Sequence, residues 1–351
     1  MKTVAVIGCG RIANNSHFKA LSAIEDCRIK YACDILPEKA EAAKQNFPKI
    51  EQTITDYKVA LADEEVDAVF VLTPNYAHYT ITMDALKAGK HVFCEKPITV
   101  NYELSCEMAK EAEKQGKMLN IGVCNRHHKS VEEIKRRYEN GDFGEIYHVC
   151  CSFRHFRSIP GLGGAFTDKS QSGGGVLIDW GVHFLDLILY VLGDVSLKSA
   201  SCNAYSEMAK DMKSYKYKDM WAEDTADIEN GVNDVDDFIS GYVRTNKANI
   251  SFTGAWAQNI GKNEMYIDFL GDKGGARFQY YGQFTFWDSA TLNETVTSHE
   301  IPDMYTKEDR AFLDSISTGV KDKNHIENIL ISARLLDVLY ESADKNEEIK
   351  L

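Results

Sequence analysis

The sequence predicts two domains: an α/β domain with a doubly wound parallel sheet, then a domain of mostly antiparallel strands. Three observations predict this. Short apolar runs alternate with helical stretches over residues 1–123, the pattern of βαβ units. A glycine-rich turn follows the first run. From residue 124 onwards, longer stretches alternate apolar and polar residues and are broken by Gly and Asn, which is typical of a sheet with one solvated or partner-covered face.

Each element of the first domain follows from this periodicity. The predicted strands span 3–7, 28–33, 67–72, 90–94 and 118–123. The helices between them are expected at 11–24, 37–46, 55–62, 77–88 and 101–115. Gly89 and Gly116 lie where helix C-caps would fall, because glycine readily adopts the left-handed conformation found there.

The second domain, 124–351, is expected to contain strands and two prominent helices. The predicted strands span 146–153, 237–244, 249–256, 264–270 and 276–281. The helices are predicted at Leu177–Leu192 and at 324–342, and the second of these could pack back on the first domain. Segment 205–232 is rich in Lys, Asp and Glu, which predicts an exposed excursion.

Composition excludes several classes of protein. The formal net charge of −13 argues against nucleic acid or an anionic membrane as a partner and favours an uncharged substrate. The 9 cysteines form no Cys-x-x-Cys pair, which favours reduced core thiols over disulfides or zinc. Neither a signal-peptide pattern nor an apolar stretch near 18 residues is evident, so we expect a cytoplasmic location.

A dinucleotide fingerprint follows the first predicted strand and opens the first helix. Its glycines allow a tight turn and a close approach to a pyrophosphate at the helix N-terminus. The alternative is a turn that serves another nucleotide or only packing. The expected cofactor contacts in this segment are Gly8, Gly10, Arg11, Ile12 and Ala13.

Asp34 ends the second predicted strand, 26 residues after Gly8. A carboxylate at this place can accept hydrogen bonds from the ribose diol and would repel a 2′-phosphate. We therefore predict NAD rather than NADP as the cofactor, against the alternative that Asp34 is a solvated loop residue.

The segment Thr73-Pro74-Asn75 closes the third predicted strand at the edge where ligands bind in such sheets. Capping of the next helix and contact with the cofactor are two compatible interpretations of this segment. His78 follows on the first helical turn and could contact the cofactor or be an ordinary half-buried histidine.

A lysine, a carboxylate and an imidazole occur in motifs that suit oxidation of an alcohol. Glu95 and Lys96 follow the strand at 90–94. Asp179 and His183 lie four residues apart on a predicted helix, so both are expected to project from one face into the same pocket. As hydride leaves an alcohol, its oxygen loses a proton and gains negative charge, so an imidazole base and an ammonium group both help. The alternatives are a solvated lysine before a turn and a helical polar pair without a catalytic role.

Four ordered motifs resemble those of the Gfo/Idh/MocA family, which includes glucose-fructose oxidoreductase and inositol dehydrogenase. They lie at 8–13, 73–78, 89–97 and 172–186. The resemblance implies a Rossmann domain, a second domain with a large, open, mostly antiparallel sheet, and a homodimer or homotetramer formed through that sheet. It also implies that Lys96 lies near nicotinamide and substrate, Asp179 is a supporting acid and His183 is the general base.

Further contact residues are expected near these motifs. Asn125 and Arg126 resemble the family's stretch at the domain junction, where Asn125, with Glu95, is expected near the cofactor and Arg126 near the substrate. His155 and Arg157 could reach substrate hydroxyl groups or could form a solvated strand end. A metal site is disfavoured because no His-x-x-x-His or Cys/His ligand set occurs, and a serine hydrolase because no Gly-x-Ser-x-Gly elbow occurs.

Three functional hypotheses follow. The first is a dehydrogenase that passes a hydride between NAD and a secondary hydroxyl of a sugar, cyclitol or glycoside. The second is an enzyme with tightly bound NAD that oxidises its substrate transiently, for glycoside cleavage or redox exchange between sugars. The third is a non-catalytic NAD-binding sensor, which the presence of Lys96, Asp179 and His183 disfavours.

Overall fold

Two compact units make up the chain in a computed structural model, which describes residues 1–280, 282–299 and 303–351. The first unit consists of Met1–Cys124 and Asp303–Leu330, and the second of Asn125–Pro302 and Ile331–Leu351. The first unit therefore takes in a late segment of the chain, in addition to the residues before 124. Each unit buries its own hydrophobic core.

The first unit contains a six-stranded parallel sheet. Its strands are Lys2–Ile7 (β1), Cys27–Cys33 (β2), Gln52–Ile54 (β3), Ala68–Val71 (β4), His91–Glu95 (β5) and Leu119–Gly122 (β6). Its helices before the domain boundary are Phe18–Ala23 (α1), Pro37–Asn46 (α2), Tyr57–Ala62 (α3), Asn75–Lys87 (α4) and Tyr102–Gln115 (α5). The strand order β3-β2-β1-β4-β5-β6 reverses direction between β1 and β4, which places a ligand crevice at the carboxyl ends of those strands.

The second unit is built on a nine-stranded sheet. Its strands are Ile146–Arg154 (β7), Leu197–Tyr205 (β8), Phe238–Thr245 (β9), Asn249–Ala255 (β10), Glu264–Gly271 (β11), Gly274–Gln279 (β12), Gln283–Asp288 (β13), Glu294–Ser298 (β14) and Ile349–Lys350 (β15). The strand order is β14-β13-β12-β11-β7-β10-β9-β8-β15. Only the β7–β10 pairing is parallel among the strand pairs of the described part of this sheet.

The later helices complete both units. They are Lys129–Glu139 (α6), Lys169–Ser172 (α7), Val182–Leu192 (α8), Met304–Thr318 (α9) and Leu330–Lys345 (α10). Helix α9 belongs to the first unit, where it packs on α1. Short 3₁₀ turns occur at Cys124–His127, Glu223–Thr225 and Ile326–Asn328.

Two helices begin with a wider, π-helical turn, at Ala13–His17 before α1 and at Leu177–Gly181 before α8. Both turns fall within predicted functional motifs. Single π-helical turns inside α-helices are frequent at functional sites because they change the direction in which side chains project. The simple four-residue spacing assumed for Asp179 and His183 therefore does not describe this helix.

The predicted fold class is confirmed: a parallel Rossmann-type sheet is followed by a mostly antiparallel one. The short strand β3 was missed, because it has three residues and none is fully buried. Strands β8, β13, β14 and β15 and helices α6, α7 and α9 were also missed. The end of the strand predicted at 276–281 lies outside the described residues, and the strand there, β12, begins earlier, at Gly274. Assembly through the sheet stays a prediction.

Contrary to the prediction that no apolar stretch near 18 residues occurs, the stretch Lys169–Leu192 is long and apolar enough to cross a membrane, by length and composition alone. Within its most apolar window, 83% of the residues are buried inside the protein. Burial of this kind is usual for a core helix, so the stretch gives weak evidence for membrane insertion.

Candidate active site

The fingerprint turn leaves an open space beside Gly10. Gly8 has φ of +97°, and a Cβ atom added there would lie 2.5 Å from the Leu72 carbonyl oxygen, so no larger residue fits. A Cβ atom added at Gly10 would meet no protein atom within 4 Å. The turn therefore packs tightly against the end of β4 on one side and offers room for a pyrophosphate on the other, which fits a bound dinucleotide.

Asp34 is held against the same turn. Its Oδ2 accepts a hydrogen bond of 2.9 Å from the Cys9 N–H group, and its Oδ1 accepts one of 3.0 Å from Leu36. Each carboxylate oxygen can accept a further bond, so this geometry leaves capacity for a ribose hydroxyl. The placement suits the predicted contact with the ribose.

We expect Asp34 to give a strong preference for NAD over NADP, because its charge repels a 2′-phosphate. Asp34→Asn should narrow the difference between the Kd values for NAD and NADP, while its amide oxygen still accepts a hydrogen bond from the Cys9 N–H group. Asp34→Ala should narrow it as well and also weaken NAD binding, because the turn loses a partner. Fluorescence titration of both cofactors measures this, and equal or tighter NADP binding by the unaltered protein would contradict the prediction.

The loop after β4 does not use Thr73 as a cap. The N-cap residue of α4 is Pro74, and no side chain caps the first turn. Thr73 Oγ1 is buried and has no hydrogen-bond partner among the described residues. Of the two interpretations of Thr73, capping is therefore wrong, while cofactor contact by Thr73, Pro74 and Asn75 stays a prediction.

His78 is fully buried rather than half-buried. Its Nδ1 lies 2.8 Å from the Pro97 carbonyl oxygen and its Nε2 lies 2.9 Å from that of Thr73. Burial lowers the pKa of His78. The side chain ties the loop after β4 to the turn after β5, so we expect any effect on the cofactor to pass through these loops.

Glu95 ends β5 as a buried side chain beside the predicted catalytic lysine. Its Oε2 accepts a hydrogen bond of 2.9 Å from the Lys96 backbone N–H group. Its Oε1 lies 3.1 Å from Nε2 of His17. A Cβ atom at Gly122 would lie 2.7 Å from this oxygen, so the neighbouring strand leaves room for the carboxylate only because residue 122 is glycine.

In the second unit, a buried carboxylate anchors the helix that carries Asp179 and His183. Asp236 accepts hydrogen bonds from the N–H groups of Gly175, at 2.8 Å, and Leu177, at 2.9 Å. The Tyr340 hydroxyl donates a third bond of 2.8 Å. These bonds satisfy backbone donors that the start of a helix leaves unpaired.

Asp179 is fixed by an indole. The Trp256 Nε1–H group donates a hydrogen bond of 3.1 Å to Asp179 Oδ2. Trp256 is only 1% exposed, so its ring cannot move readily. The bond fixes one oxygen of the carboxylate and so limits the rotation of the side chain.

His183 lies beside the amide of Asn125. The distance from Asn125 Nδ2 to His183 Nδ1 is 3.1 Å, and the same amide nitrogen is 3.0 Å from the Tyr280 hydroxyl. Asn125 was predicted to contact the cofactor, and its partnership with the predicted base was missed. All three residues belong to the second unit.

Trp180, which lies between Asp179 and His183 in sequence, was not predicted as a site residue. Trp180 contacts the His155 ring at a centroid distance of 5.2 Å, Tyr280 at 5.7 Å and His183 at 6.1 Å. Nε2 of His155 is buried without a hydrogen-bond partner among the described residues. Burial lowers the pKa of His155 despite the nearby charge of Asp179, so the ring is neutral near pH 7.

Two predicted substrate contacts have protein partners. Arg126 is 2% exposed and forms a two-pronged ion pair with buried Asp186, at 2.8 and 2.6 Å. Arg157 has φ of +56°, donates a hydrogen bond of 2.5 Å to Asn259 and lies 5.4 Å from the Tyr215 ring. Substrate contact by either arginine stays a prediction, and the burial of Arg126 favours a role in holding helix α8.

The structure brings together His183, Asn125, Trp180 and His155 within the second unit, while Lys96 belongs to the first. Throughout residues 1–280, 282–299 and 303–351, no group of three or more His, Cys, Asp or Glu side chains is arranged to hold a metal ion.

A parallel α/β unit with room for a pyrophosphate, in one chain with an anchored imidazole and carboxylate, defines a dinucleotide-dependent oxidoreductase. Family comparison agrees. Residues 2–123 match the Gfo/Idh/MocA oxidoreductase family, NAD-binding Rossmann fold, and residues 131–277 match the family's C-terminal domain. The chain belongs to the Gfo/Idh/MocA family and is an NAD-dependent oxidoreductase.

Two of the following proteins match nearly the whole chain, and one matches about half of it. D-glucoside 3-dehydrogenase of Escherichia coli is 28% identical over 99% of this chain and 97% of that protein. Myo-inositol 2-dehydrogenase of Thermotoga maritima is 28% identical over 54% of this chain and 55% of that protein. A levoglucosan dehydrogenase, in complex with NADH and levoglucosan, shares the fold with a TM-score of 0.86 at 20% identity, over 99% of both chains.

Proposed function

We propose that this protein oxidises a secondary hydroxyl group of a sugar, cyclitol or glycoside, with NAD as the hydride acceptor. The observation that carries the proposal is the position of the His183 imidazole, which is hydrogen-bonded to Asn125. The π-helical turn before His183 also carries Asp179, whose carboxylate is hydrogen-bonded to Trp256. The similarity to D-glucoside 3-dehydrogenase over nearly the whole chain supports the substrate class. The 3-hydroxyl of a D-glucoside is therefore the first to test.

In the proposal, His183 removes the proton of the substrate hydroxyl group. When bound, NAD supplies the hydride acceptor, and the hydroxyl proton must leave as negative charge develops on oxygen. In the proposal, His183 Nε2 accepts that proton and the Lys96 ammonium stabilises the charged oxygen. The role of Lys96 rests on the family motif, and the role of His183 rests on the motif and on its surroundings.

Asn125 sets which nitrogen of His183 can act. If the amide nitrogen faces Nδ1, Nδ1 accepts and a neutral ring carries its proton on Nε2, where it cannot take another. If the amide oxygen faces Nδ1, Nδ1–H donates and Nε2 carries the lone pair that can take a proton. That oxygen can also accept from the Tyr280 hydroxyl. Base catalysis therefore requires the amide oxygen at the 3.1 Å position.

We expect Asn125→Ala to lower kcat about 10²-fold, since a misoriented base costs roughly this factor. Asn125→Asp should retain much more turnover, because a carboxylate oxygen also accepts from Nδ1–H. It should move the acidic limb of the pH profile of kcat to higher pH, because a nearby anion favours the protonated ring, which cannot act as a base. Identical pH profiles for Asn125→Asp and the unaltered protein would contradict this role.

Asp179 and Trp180 suit a polyhydroxylated ring. The fixed carboxylate of Asp179 can accept hydrogen bonds from a hydroxyl group, and it lies next to the half-buried indole of Trp180. An aromatic ring beside a few fixed polar groups is the usual make-up of a small-molecule site. His155 Nε2, which lacks a partner among the described residues, provides a further polar atom near this ring.

Steady-state NADH formation tests the proposal. The purified protein is incubated with NAD and, in turn, with D-glucosides, inositols and free aldoses. The proposal predicts NADH formation with at least one of these, and none with the same compound when its reacting carbon carries no hydroxyl group. Failure of every sugar, cyclitol and glycoside to reduce NAD, either free or retained by the protein, would contradict the proposal.

A further inference from the structure

Three ionisable side chains meet in the interior of the first unit and form what we call the buried triad: His17, Glu95 and Asp309. His17 is 0% exposed. Its Nδ1 lies 2.9 Å from Asp309 Oδ1, and its Nε2 lies 3.1 Å from Glu95 Oε1. The triad joins the π-helical turn after the fingerprint, the end of β5 and helix α9, which are far apart in sequence.

The geometry favours a charged histidine. A neutral imidazole has one N–H group, so it cannot donate to a carboxylate at each nitrogen. Burial opposes the charged ring, but the Asp309 carboxylate and then Glu95 outweigh it and raise the pKa of His17 well above its usual value. Burial also raises the pKa of Asp309. We place the proton on the ring because acceptors face both of its nitrogens.

Glu308 and Tyr305 lie on the same helix as Asp309. Burial, and then the charge of Glu95, raises the pKa of Glu308 well above its usual value, which favours its neutral form. Its Oε1 accepts a hydrogen bond of 2.7 Å from Asn324. The Tyr305 ring meets His17 edge-on at 5.3 Å, and burial raises the pKa of its hydroxyl. Phe70 and Phe93 complete the surroundings.

Glu95 links the triad to the predicted catalytic lysine. One of its oxygens faces His17, and the other accepts the backbone N–H group of Lys96 at 2.9 Å. Both hydrogen bonds use one planar carboxylate. A rotation of Glu95 that breaks its bond to His17 therefore also strains its bond to the Lys96 N–H group. Without a cation at His17, the buried Glu95 charge would lose its partner and the carboxylate would turn towards another donor.

We propose that His17 is a positioning residue for Lys96: its imidazolium, held by Asp309, fixes the Glu95 carboxylate that anchors the Lys96 backbone. The proposal rests on the proposed function, which places the Lys96 ammonium at the reacting oxygen. Through Glu95, the fingerprint helix and helix α9 both act on the turn that carries the lysine. The expected signature is a loss of turnover with little change in NAD affinity.

Nitrogen NMR of the unaltered protein tests the charge without any activity assay. With selectively labelled histidine, both nitrogens of His17 should be protonated at neutral pH and should remain so well above pH 7. The Lys96 amide should also be protected from hydrogen exchange. A His17 ring with one protonated nitrogen at neutral pH would overturn the proposal.

Two variants and one control test the positioning role. His17→Gln removes the charge and should lower kcat about 10²-fold, the cost of a small misplacement of a catalytic group, with the Kd for NAD nearly unchanged. Asp309→Asn should do the same more mildly. The control Glu308→Gln replaces one neutral group with another of the same shape that still accepts from Asn324, so its kcat should be unaltered.

Asp309→Asn adds a readout that a merely structural role would not move. With one carboxylate left, His17 should lose its proton at a lower pH than in the unaltered protein. The kcat of Asp309→Asn divided by that of the unaltered protein should therefore rise as pH falls, since acid restores the imidazolium. A ratio that does not change with pH would contradict the proposal.

The outcomes separate this proposal from the proposed function. If Lys96→Met is inactive while His17→Gln and Asp309→Asn turn over normally, only the positioning role is wrong. If Lys96→Met retains turnover, the role of Lys96 itself is wrong and the positioning role falls with it. Circular dichroism and NAD binding confirm that each variant is folded, and the NMR experiment applies even if a variant does not fold.

Discussion

Replacing His183 with alanine should lower kcat about 10² to 10⁴-fold, the usual contribution of a general base. The Kd for NAD should barely change, because the substitution leaves the fingerprint turn and Asp34 unaltered. Single-turnover kinetics beside an NAD binding isotherm separate the two effects. The fall should appear in the hydride-transfer step itself.

A matched control is available in the same unit. His148 lies on β7, where its Nε2 is 3.0 Å from the Ser251 hydroxyl, and it has no part in the proposed site. His148→Ala should therefore keep near-normal kcat. Near-normal kcat for His183→Ala would show that another group is the base, with His155 and Tyr280 as the next candidates.

Lys96→Met should be at least as harmful as the loss of His183. Methionine has a similar length and no charge, so the developing oxyanion loses its cation. Removal of one uncharged hydrogen-bond donor to an oxyanion costs about 10² to 10³-fold in kcat, and removal of a full positive charge should cost more. Steady-state kinetics with the identified substrate measure the effect, and NAD binding should survive because the backbone of residue 96 still donates to Glu95.

Lys87→Met is the control for that substitution. Lys87 is an exposed residue at the end of α4, outside every motif that the mechanism uses. Its replacement should leave kcat unaltered. If Lys96→Met and Lys87→Met behave alike, Lys96 has no electrostatic role in the reaction.

Local patterns account for much of the first unit. The helix predicted at 37–46 begins and ends at those residues, because Pro37 suits a first helical turn and alanines follow at positions that become buried. The fingerprint predicted a tight turn, and Gly8 has the positive φ, +97°, that such a turn requires. Features of this kind depend on residues close together in sequence, so the sequence alone predicts them.

Side-chain contacts between residues far apart in sequence could not be predicted in the same way. Asn125 and His183 are separated by 58 positions, Arg126 and Asp186 by 60, and His17 and Asp309 by 292. Side-chain periodicity describes one helix or strand and says nothing about which distant polar group fills the remaining space. The sequence therefore predicted cofactor contact for Asn125 and substrate contact for Arg126. Their contacts with His183 and Asp186 on helix α8 become evident only in the folded protein.

The π-helical turn at Leu177–Gly181 was also not predicted from the sequence. The motif suggested that Asp179 and His183 share a face through four-residue spacing. In the structure Asp179 is anchored by Trp256, and His183 by Asn125. A wider turn has no distinctive apolar repeat, so only its position within a functional motif hinted at it.

Transfer of deuterium tests the central claim most directly. A D-glucoside that carries deuterium on carbon 3 is mixed with the protein and NAD, and the nicotinamide product is analysed by mass spectrometry after one turnover. Direct hydride transfer predicts NADH that contains the deuterium, formed more slowly than with the unlabelled glucoside, and none with His183→Ala on the same time scale. Reduced nicotinamide without deuterium, from a glucoside shown to be oxidised at that carbon, would contradict the account.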